Sequence, residues 1–267
     1  MKMIVFDLDG TLLTSNKTIS DKSRTYLKKL KEMGYVTVIA TGRMFESMKD
    51  VVQDFGFADY IITDTGATCY DSGKSEIVFA NPIDVDAAKK LKQYYSDKCN
   101  YIDICTKEKI YKYTKNKRNS FESYIEVETD WNSIFEKCGD IYHITISMNA
   151  NEYVIDVYKD LKEQFLDLNI IIMQDSYSNK QWIEVFKKGT SKYNAISKLA
   201  NILNINNKDI IAFGDGLNDL DMLKNCGVGV ALKNALPEVK EAADYVTQYD
   251  YDNDGVIEFL KKYLKVK

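Results

Sequence analysis

Apolar and polar positions alternate along this chain in blocks. Lys2–Phe6, Tyr35–Ala40 and Tyr60–Thr63 are short apolar runs rich in β-formers, and each predicts a buried strand. A helix is predicted from about Asp21, with Ser20 as its N-cap, Leu27, Leu30 and Met33 on its apolar face, and Gly34 as its stop. A second helix is predicted over Phe45–Phe55. Strands that are apolar on both faces and separated by helices argue for a parallel sheet covered on both sides. The same texture returns near residue 190, with helix Ser191–Leu203, strand Ile210–Phe213, a helix from about Leu217 and strand Gly227–Ala231.

The segment from Pro82 to Lys188 has a different texture. It predicts a helix (Asp86–Asp97), Tyr-rich alternating strands within Tyr101–Tyr113, a strand (Tyr142–Ser147), a helix (Glu152–Phe165) and strands Ile170–Met173 and Trp182–Phe186. The expected fold is α/β. A Rossmann-like doubly wound parallel sheet core (residues 1–81 and 189–267) would carry an inserted α+β cap domain (82–188). No internal repeat or low-complexity segment interrupts it.

Three predicted strands end in polar groups suited to one task. The first runs into Asp7-Leu8-Asp9-Gly10-Thr11, the second into Thr41-Gly42-Arg43, and a later one into Gly214-Asp215-Gly216-Leu217-Asn218-Asp219. Open parallel sheets gather ligands at the carboxyl ends of their strands. Two carboxylates about 4 Å apart repel by about 4 kcal/mol at an effective dielectric near 20. Gathering Asp7, Asp9, Asp215 and Asp219 therefore calls for protonation or a divalent cation. All-oxygen ligands suit Mg²⁺. Facing the acids, the Thr41 hydroxyl, nearby backbone N–H groups and Lys192 could hold a phosphate. Lys192 lies in the first turn of a predicted helix, where its ammonium adds to the positive helix end.

Composition narrows the class further. The chain has 267 residues, 45% apolar and 28% charged, as in a globular protein that buries a sizeable core. A net charge of −4 gives no support to nucleic-acid binding. Five cysteines, an odd number without a Cys-x-x-Cys pair, read as reduced thiols in a cytoplasmic setting. There is no signal-peptide pattern and no apolar stretch approaching 18 residues, so no membrane association is expected.

These residues resemble a known family. Asp7-x-Asp9-Gly10-Thr11, Ala40-Thr41-Gly42-Arg43, Lys192 and Gly214-Asp215-Gly216-x-Asn218-Asp219 look like the four ordered motifs of the haloacid dehalogenase superfamily. The Cof-type sugar-phosphatase group, whose α/β cap lies between the second and third motifs, is the nearest match. The run Lys188–Lys192 and the late Asp254-Gly255-Val256 also resemble that group. The resemblance implies that Asp7 attacks phosphorus to form an aspartyl-phosphate, and that Asp9 protonates the leaving alcohol and then activates water. It further implies Mg²⁺ on Asp7, the Asp9 backbone carbonyl and Asp215, with Asp219 in support. The Leu8 backbone N–H, Thr41, Gly42, Lys192 and Asn218 would hold the phosphoryl group. The implied partner is a small phosphorylated metabolite, and the implied state a monomer or weak homodimer.

Two other functions fit the same motifs. A phosphomutase would need a second, Arg-rich phosphate site, for which the inserted segment offers only Arg118. A non-catalytic phosphometabolite sensor would not need the intact set Asp7, Asp9, Lys192 and Asp215. His143, the single histidine, sits in a strand pattern and reads as structural. Asp250-x-Asp252-x-Asp254-Gly255 mimics an EF-hand start, but Lys261 stands where a bidentate Glu is required, so a cap for helix Val256–Leu264 is expected instead. Gly227-x-Gly229 is too short for a dinucleotide fingerprint, and the basic stretch Lys107–Arg118 reads as a solvated hairpin face.

Overall fold

A computed structural model describes residues 2–49, 52, 56–74, 76–95, 98–115, 122–174 and 179–265. In chain order its elements are β1 (Met3–Phe6), α1 (Asp21–Glu32), β2 (Val36–Ala40), α2 (Phe45–Lys49), β3 (Tyr60–Thr63), β4 (Thr68–Asp71) and β5 (Glu76–Ala80). Next come α3 (Val85–Lys90), β6 (Cys99–Cys105), β7 (Ile110–Tyr113), β8 (Ile125–Glu128), α4 (Trp131–Lys137), β9 (His143–Met148), α5 (Asn151–Gln164), β10 (Leu168–Gln174) and β11 (Gln181–Lys187). The remainder is α6 (Lys192–Ile202), β12 (Ile210–Gly214), α7 (Leu220–Asn225), β13 (Val228–Ala231), α8 (Pro237–Ala242), β14 (Tyr245–Val246) and α9 (Gly255–Leu264). The chain divides into two compact units, one of Met1–Arg43, Met48–Phe79 and Ser191–Lys267, the other of Met44–Ser47 and Ala80–Thr190.

The first unit is built on the sheet β14-β13-β12-β1-β2-β3-β4-β5. From β14 to β3 the pairs are parallel, with β1 between β12 and β2 in the registers Phe6↔Phe213 and Phe6↔Ile39. Met3 and Val5 face one side, where they pack with Ile196 and Leu199 of α6 and Met222 and Leu223 of α7. On the other side Phe6 stacks on Phe213 at 5.7 Å, and Phe259 of α9 meets Phe213 edge-on at 5.6 Å. Burial on both faces is why β1 reads as an unbroken apolar run.

The sheet is not wholly parallel. β4 pairs antiparallel with β3. The connection is only Asp64-Thr65-Gly66, with φ of 50°, 54° and 105°, and Ala67. A parallel crossover needs a dozen residues or more, so a turn this short forces the next strand to run back.

In the second unit the sheet order is β10-β11-β9-β6-β7-β8, antiparallel except for the parallel pair β7–β8. One face of it, Ile102, Ile104, Ile144, Ile146, Ile183 and Val185, buries against Leu91, Trp131, Ile134, Val154 and Leu161. Here β8 and α4 are elements the sequence pattern did not predict. The helix expected over Asp86–Asp97 is α3, continuing as a 3-10 turn over Leu91–Tyr94, with 96 and 97 outside the described residues. Residues 50, 51 and 53–55 of the predicted Phe45–Phe55 helix also lie outside them, as does Arg118.

The basic stretch departs from expectation where it is described. Lys109 pairs with Glu126 at 2.6 Å, but Lys112 donates to both oxygens of the buried Asp103 at 2.7 Å, so it is not a solvated cation. The acidic triplet near the carboxyl end also works differently. Asp254 makes no side-chain cap to α9; its carboxylate accepts from the Ser20 and Ser23 hydroxyls, and Asp252 accepts from the Ser15 N–H at 2.7 Å. His143 is buried, its ring 5.6 Å from that of Phe186.

Candidate active site

Adjacent parallel strands carry the first groups to one edge. Asp7 follows β1 and donates its N–H to the Phe213 carbonyl of β12 at 3.0 Å. Asp215 follows β12, and Thr41 follows β2. The register therefore brings together three segments that are up to two hundred residues apart in sequence.

Lys192 is the first residue of α6, whose start is fixed by the Ser191 hydroxyl accepting from the Asn194 N–H at 3.2 Å. Gly66 permits this placement: its φ is +105°, and a Cβ there would stand 2.2 Å from the Ser191 carbonyl oxygen. Lys192 is fully buried, and its Nζ donates to Asp7 Oδ1 at 2.7 Å and Asp219 Oδ1 at 2.6 Å. The other oxygen of Asp219 accepts the N–H groups of Asp215 and Gly216, at 2.9 and 3.0 Å. Asp219 thus fixes both the lysine and the loop that carries Asp215.

One carboxylate oxygen from each of Asp7, Asp215 and Asp219 lies within 4.8 Å of the others. Three carboxylates against the single ammonium of Lys192 leave two negative charges uncompensated. Burial, reinforced by Asp219 and Asp215, pushes the Asp7 carboxyl well above its ordinary value despite Lys192. Burial and Asp219 raise Asp215 to about 7, against the opposing hydrogen bond from Thr11. Burial opposes the charged form of Lys192, but Asp219 and Asp7 outweigh it and shift the lysine upward, so it stays protonated. An all-oxygen donor set short of two positive charges fits a hard divalent ion such as Mg²⁺.

Asp9 lies in a separate electrostatic environment. Its carboxylate accepts from Arg43 Nε at 2.5 Å and Nη2 at 2.8 Å, and from Lys17 Nζ at 2.8 Å. Burial works against ionisation there, but the hydrogen bonds of Arg43 and Lys17 prevail and hold the carboxyl at about 2. Its carboxylate is not among the three clustered acids.

The turn between Asp9 and Asp215 is tight. Gly10 has φ +78°, and a Cβ on it would stand 2.2 Å from Asp215 Oδ2. Thr11 donates to Asp215 Oδ1 at 2.9 Å. Asn234 donates to the Gly10 carbonyl at 2.8 Å and approaches Asp215 Oδ2 at 3.4 Å. Lys17 and Asn234 escaped the sequence reading, because each lies in a loop with no periodicity to mark it, and Thr11 is legible there only as part of the first motif, without a role of its own.

The groups expected to hold a phosphate lie in the same unit. Thr41 is buried and accepts from the Arg43 N–H at 3.2 Å. Leu8 is buried, and its carbonyl accepts from the N–H groups of Thr11, Leu12 and Leu13. The Asn218 amide nitrogen lies 3.5 Å from where a Cβ on Gly42 would stand. So Asp7, Lys192, Asp215 and Asp219 converge, Gly42 and Asn218 approach each other, and Asp9 is engaged by two cations.

Comparison with known proteins identifies the family. The family model of haloacid dehalogenase-like hydrolases matches residues 4–260. The chain is 29% identical over 292 residues to the Bacillus subtilis 5-amino-6-(5-phospho-D-ribitylamino)uracil phosphatase YwtE, covering 99% of this chain and 98% of the relative. A solved haloacid dehalogenase-like hydrolase from B. subtilis superposes with a TM-score of 0.84 at 27% identity, over 98% of this chain and 99% of that one. The fold is shared too with a subclass IIB sugar phosphatase, BT4131, at a TM-score of 0.78 and 23% identity over the full length of both chains. The chain belongs to the haloacid dehalogenase-like hydrolases and is an enzyme of that family's phosphatase kind.

Proposed function

We propose that the protein is a Mg²⁺-dependent phosphatase that hydrolyses small phosphomonoesters, sugar phosphates or related metabolites, through an aspartyl-phosphate. The observation that carries this reading is Asp7, buried at the end of β1, 2.7 Å from Lys192 and clustered with Asp215 and Asp219. An oxygen of Asp7 attacks phosphorus as the bond to the leaving oxygen breaks, and that oxygen takes its proton from Asp9. Asp9 then accepts a proton from water, which attacks the phosphorus and releases orthophosphate. Asp7 is thereby restored. Splitting the transfer into two steps in this way is covalent catalysis.

Lys192, the Thr41 hydroxyl, the Leu8 and Gly42 N–H groups and Asn218 neutralise and orient the phosphoryl oxygens, which is most of what phosphoryl transfer asks of a protein. Asp7, Asp215 and the Asp9 carbonyl would hold Mg²⁺, with Asp219 in support, and the ion would supply charge stabilisation to the transferring group. Residues 82–188 are read as the domain that selects the leaving group. The polyol phosphate named for the B. subtilis relative supports a sugar-like substrate. The five free cysteines agree with a cytoplasmic setting. Among the described residues, no helix is long and apolar enough to cross a membrane.

A panel of phosphorylated sugars, polyols and nucleotides, assayed for orthophosphate release with Mg²⁺, tests the reading. Turnover of at least one member is expected, with loss in Asp7→Asn and in excess chelator. Undiminished turnover in Asp7→Asn would remove the aspartyl-phosphate step.

A further inference from the structure

The site holds one buried polar group that its geometry leaves unused. Thr65 is 6% exposed, and its Oγ1 has no hydrogen-bond partner among the described residues. Buried hydroxyls are nearly always satisfied, and an orphan costs stability. Thr65 is also β-branched with φ +54°, a conformation that L residues of this shape avoid. Strain of this kind persists where the surroundings impose it, most often around a functional site.

The location gives the orphan a purpose. The 64–66 turn is strapped to the Thr41–Arg43 turn by the bonds Thr65 N–H to the Thr41 carbonyl (3.1 Å) and Asp64 N–H to the Arg43 carbonyl (2.9 Å). Its Gly66 lies against the Ser191 carbonyl, at the start of the helix that presents Lys192. The Thr65 hydroxyl oxygen lies 3.5 Å from the point where a Cβ on Gly42 would stand, the same distance from that point as the Asn218 amide nitrogen. The O–H is thus held beside Gly42, as the Asn218 amide is, on a turn bonded to Thr41 and lying against the residue before Lys192.

We propose that Thr65 is a further phosphoryl-binding residue, its hydroxyl donating to a phosphoryl oxygen alongside Gly42 and Asn218. This rests on the phosphatase reading and adds a ligand contact to it. The unmet donor in the free protein becomes a charge-assisted hydrogen bond in the complex. Discrimination follows from that trade, because deleting the hydroxyl relieves the free state and harms only the bound one.

Orthophosphate binding with Mg²⁺, measured by calorimetry, and the thermal midpoint without phosphate, measured on the same proteins, test the proposal. Thr65→Val should leave the phosphate-free midpoint unchanged or raised while weakening orthophosphate by about ten-fold or more, as expected for losing a hydrogen bond to a charged ligand. Thr65→Ser should keep most of the affinity. Thr65→Ala provides the same deletion without added bulk at Cγ, should the valine variant fold poorly. Wild-type affinity in both Thr65→Val and Thr65→Ala would overturn the assignment and leave the phosphatase reading standing. Absence of orthophosphate binding by the wild-type protein would overturn the pocket itself, and the assignment with it.

Discussion

Arg43 grips Asp9 through two nitrogens, Nε at 2.5 Å and Nη2 at 2.8 Å, and so holds the expected acid-base residue in its charged form. With Lys17 as a third donor the carboxyl sits at about 2, deprotonated at neutral pH. In the proposed reaction that state suits the second half, in which Asp9 would take a proton from water. The first half requires Asp9 to carry a proton, so its grip on the two cations must loosen when substrate binds.

Asp9→Asn should therefore lower kcat for alkyl phosphates by about a hundred-fold or more. In kcat/KM, which reports the steps through formation of the aspartyl-phosphate, an aryl phosphate, whose leaving group needs no proton, should suffer less. Lys17→Met removes one of the cations and should move the acid limb of kcat for the aryl substrate to higher pH. Equal losses of kcat/KM on both substrates in Asp9→Asn would mean that Asp9 does not protonate the leaving group.

Lys192→Met should be costly in stability as well as activity. It would leave Asp7 and Asp219 buried without their shared cation, an arrangement that costs about 3–5 kcal/mol when one partner of a buried pair is removed. Denaturant unfolding at neutral pH in chelator reads this directly. Lowering the pH should shrink the deficit, because the Asp7 carboxyl, already shifted upward by burial, no longer needs the ammonium once protonated.

The metal-free protein should lose stability as pH rises between about 4 and 7. Asp215 is raised from the ordinary 3.8 to about 7 when folded, so over that interval the native state binds the proton and the unfolded chain does not. Asp7 shifts in the same direction. Asp215→Asn should flatten the decline. Added Mg²⁺ should stabilise more at the upper end of the interval, where the ligands are ionised. A thermal midpoint that climbs with pH in chelator across this range would contradict the charge arrangement.

Asn234→Ala should lower Mg²⁺ affinity by roughly 10- to 100-fold, the usual cost of losing a group that orients a metal ligand. Asn234 ties the Gly10 carbonyl to the loop of Asp215, and its side-chain Oδ1 accepts from the Tyr251 N–H at 3.3 Å. Titration of Mg²⁺ followed by thermal shift separates this loss from a folding defect, since saturating metal should restore the wild-type midpoint.

Much of the site could be read from the chain because strands and a helix end position it. Asp7, Asp215 and Thr41 follow apolar runs that announce their strands, and Lys192 lies in the first turn of a helix predicted from Ser191, singled out from its neighbouring lysines by the family resemblance. The loop residues were harder to see. Lys17, Asn234 and Thr65 act through the conformation of short turns, and turn geometry depends on neighbours more than two hundred residues away in the case of Asn234 and Gly10. The antiparallel β4 was hidden for a related reason: its cue is three successive left-handed residues, two of which are not glycine. The Asp250–Asp254 acids resembled a calcium loop, yet Asp252 and Asp254 serve Ser15, Ser20 and Ser23 near the other end of the chain.

The register Ile4↔Ile211 has a consequence for biosynthesis. β1 can zip to β2 soon after it is made, but its second edge stays bare until β12, about two hundred residues further along the chain, emerges. Through that interval Asp7 lacks the Asp219 loop, and for most of it Lys192 as well, so a nascent chain or a truncation ending before Ile210 presents an open strand edge and an incomplete version of the proposed site.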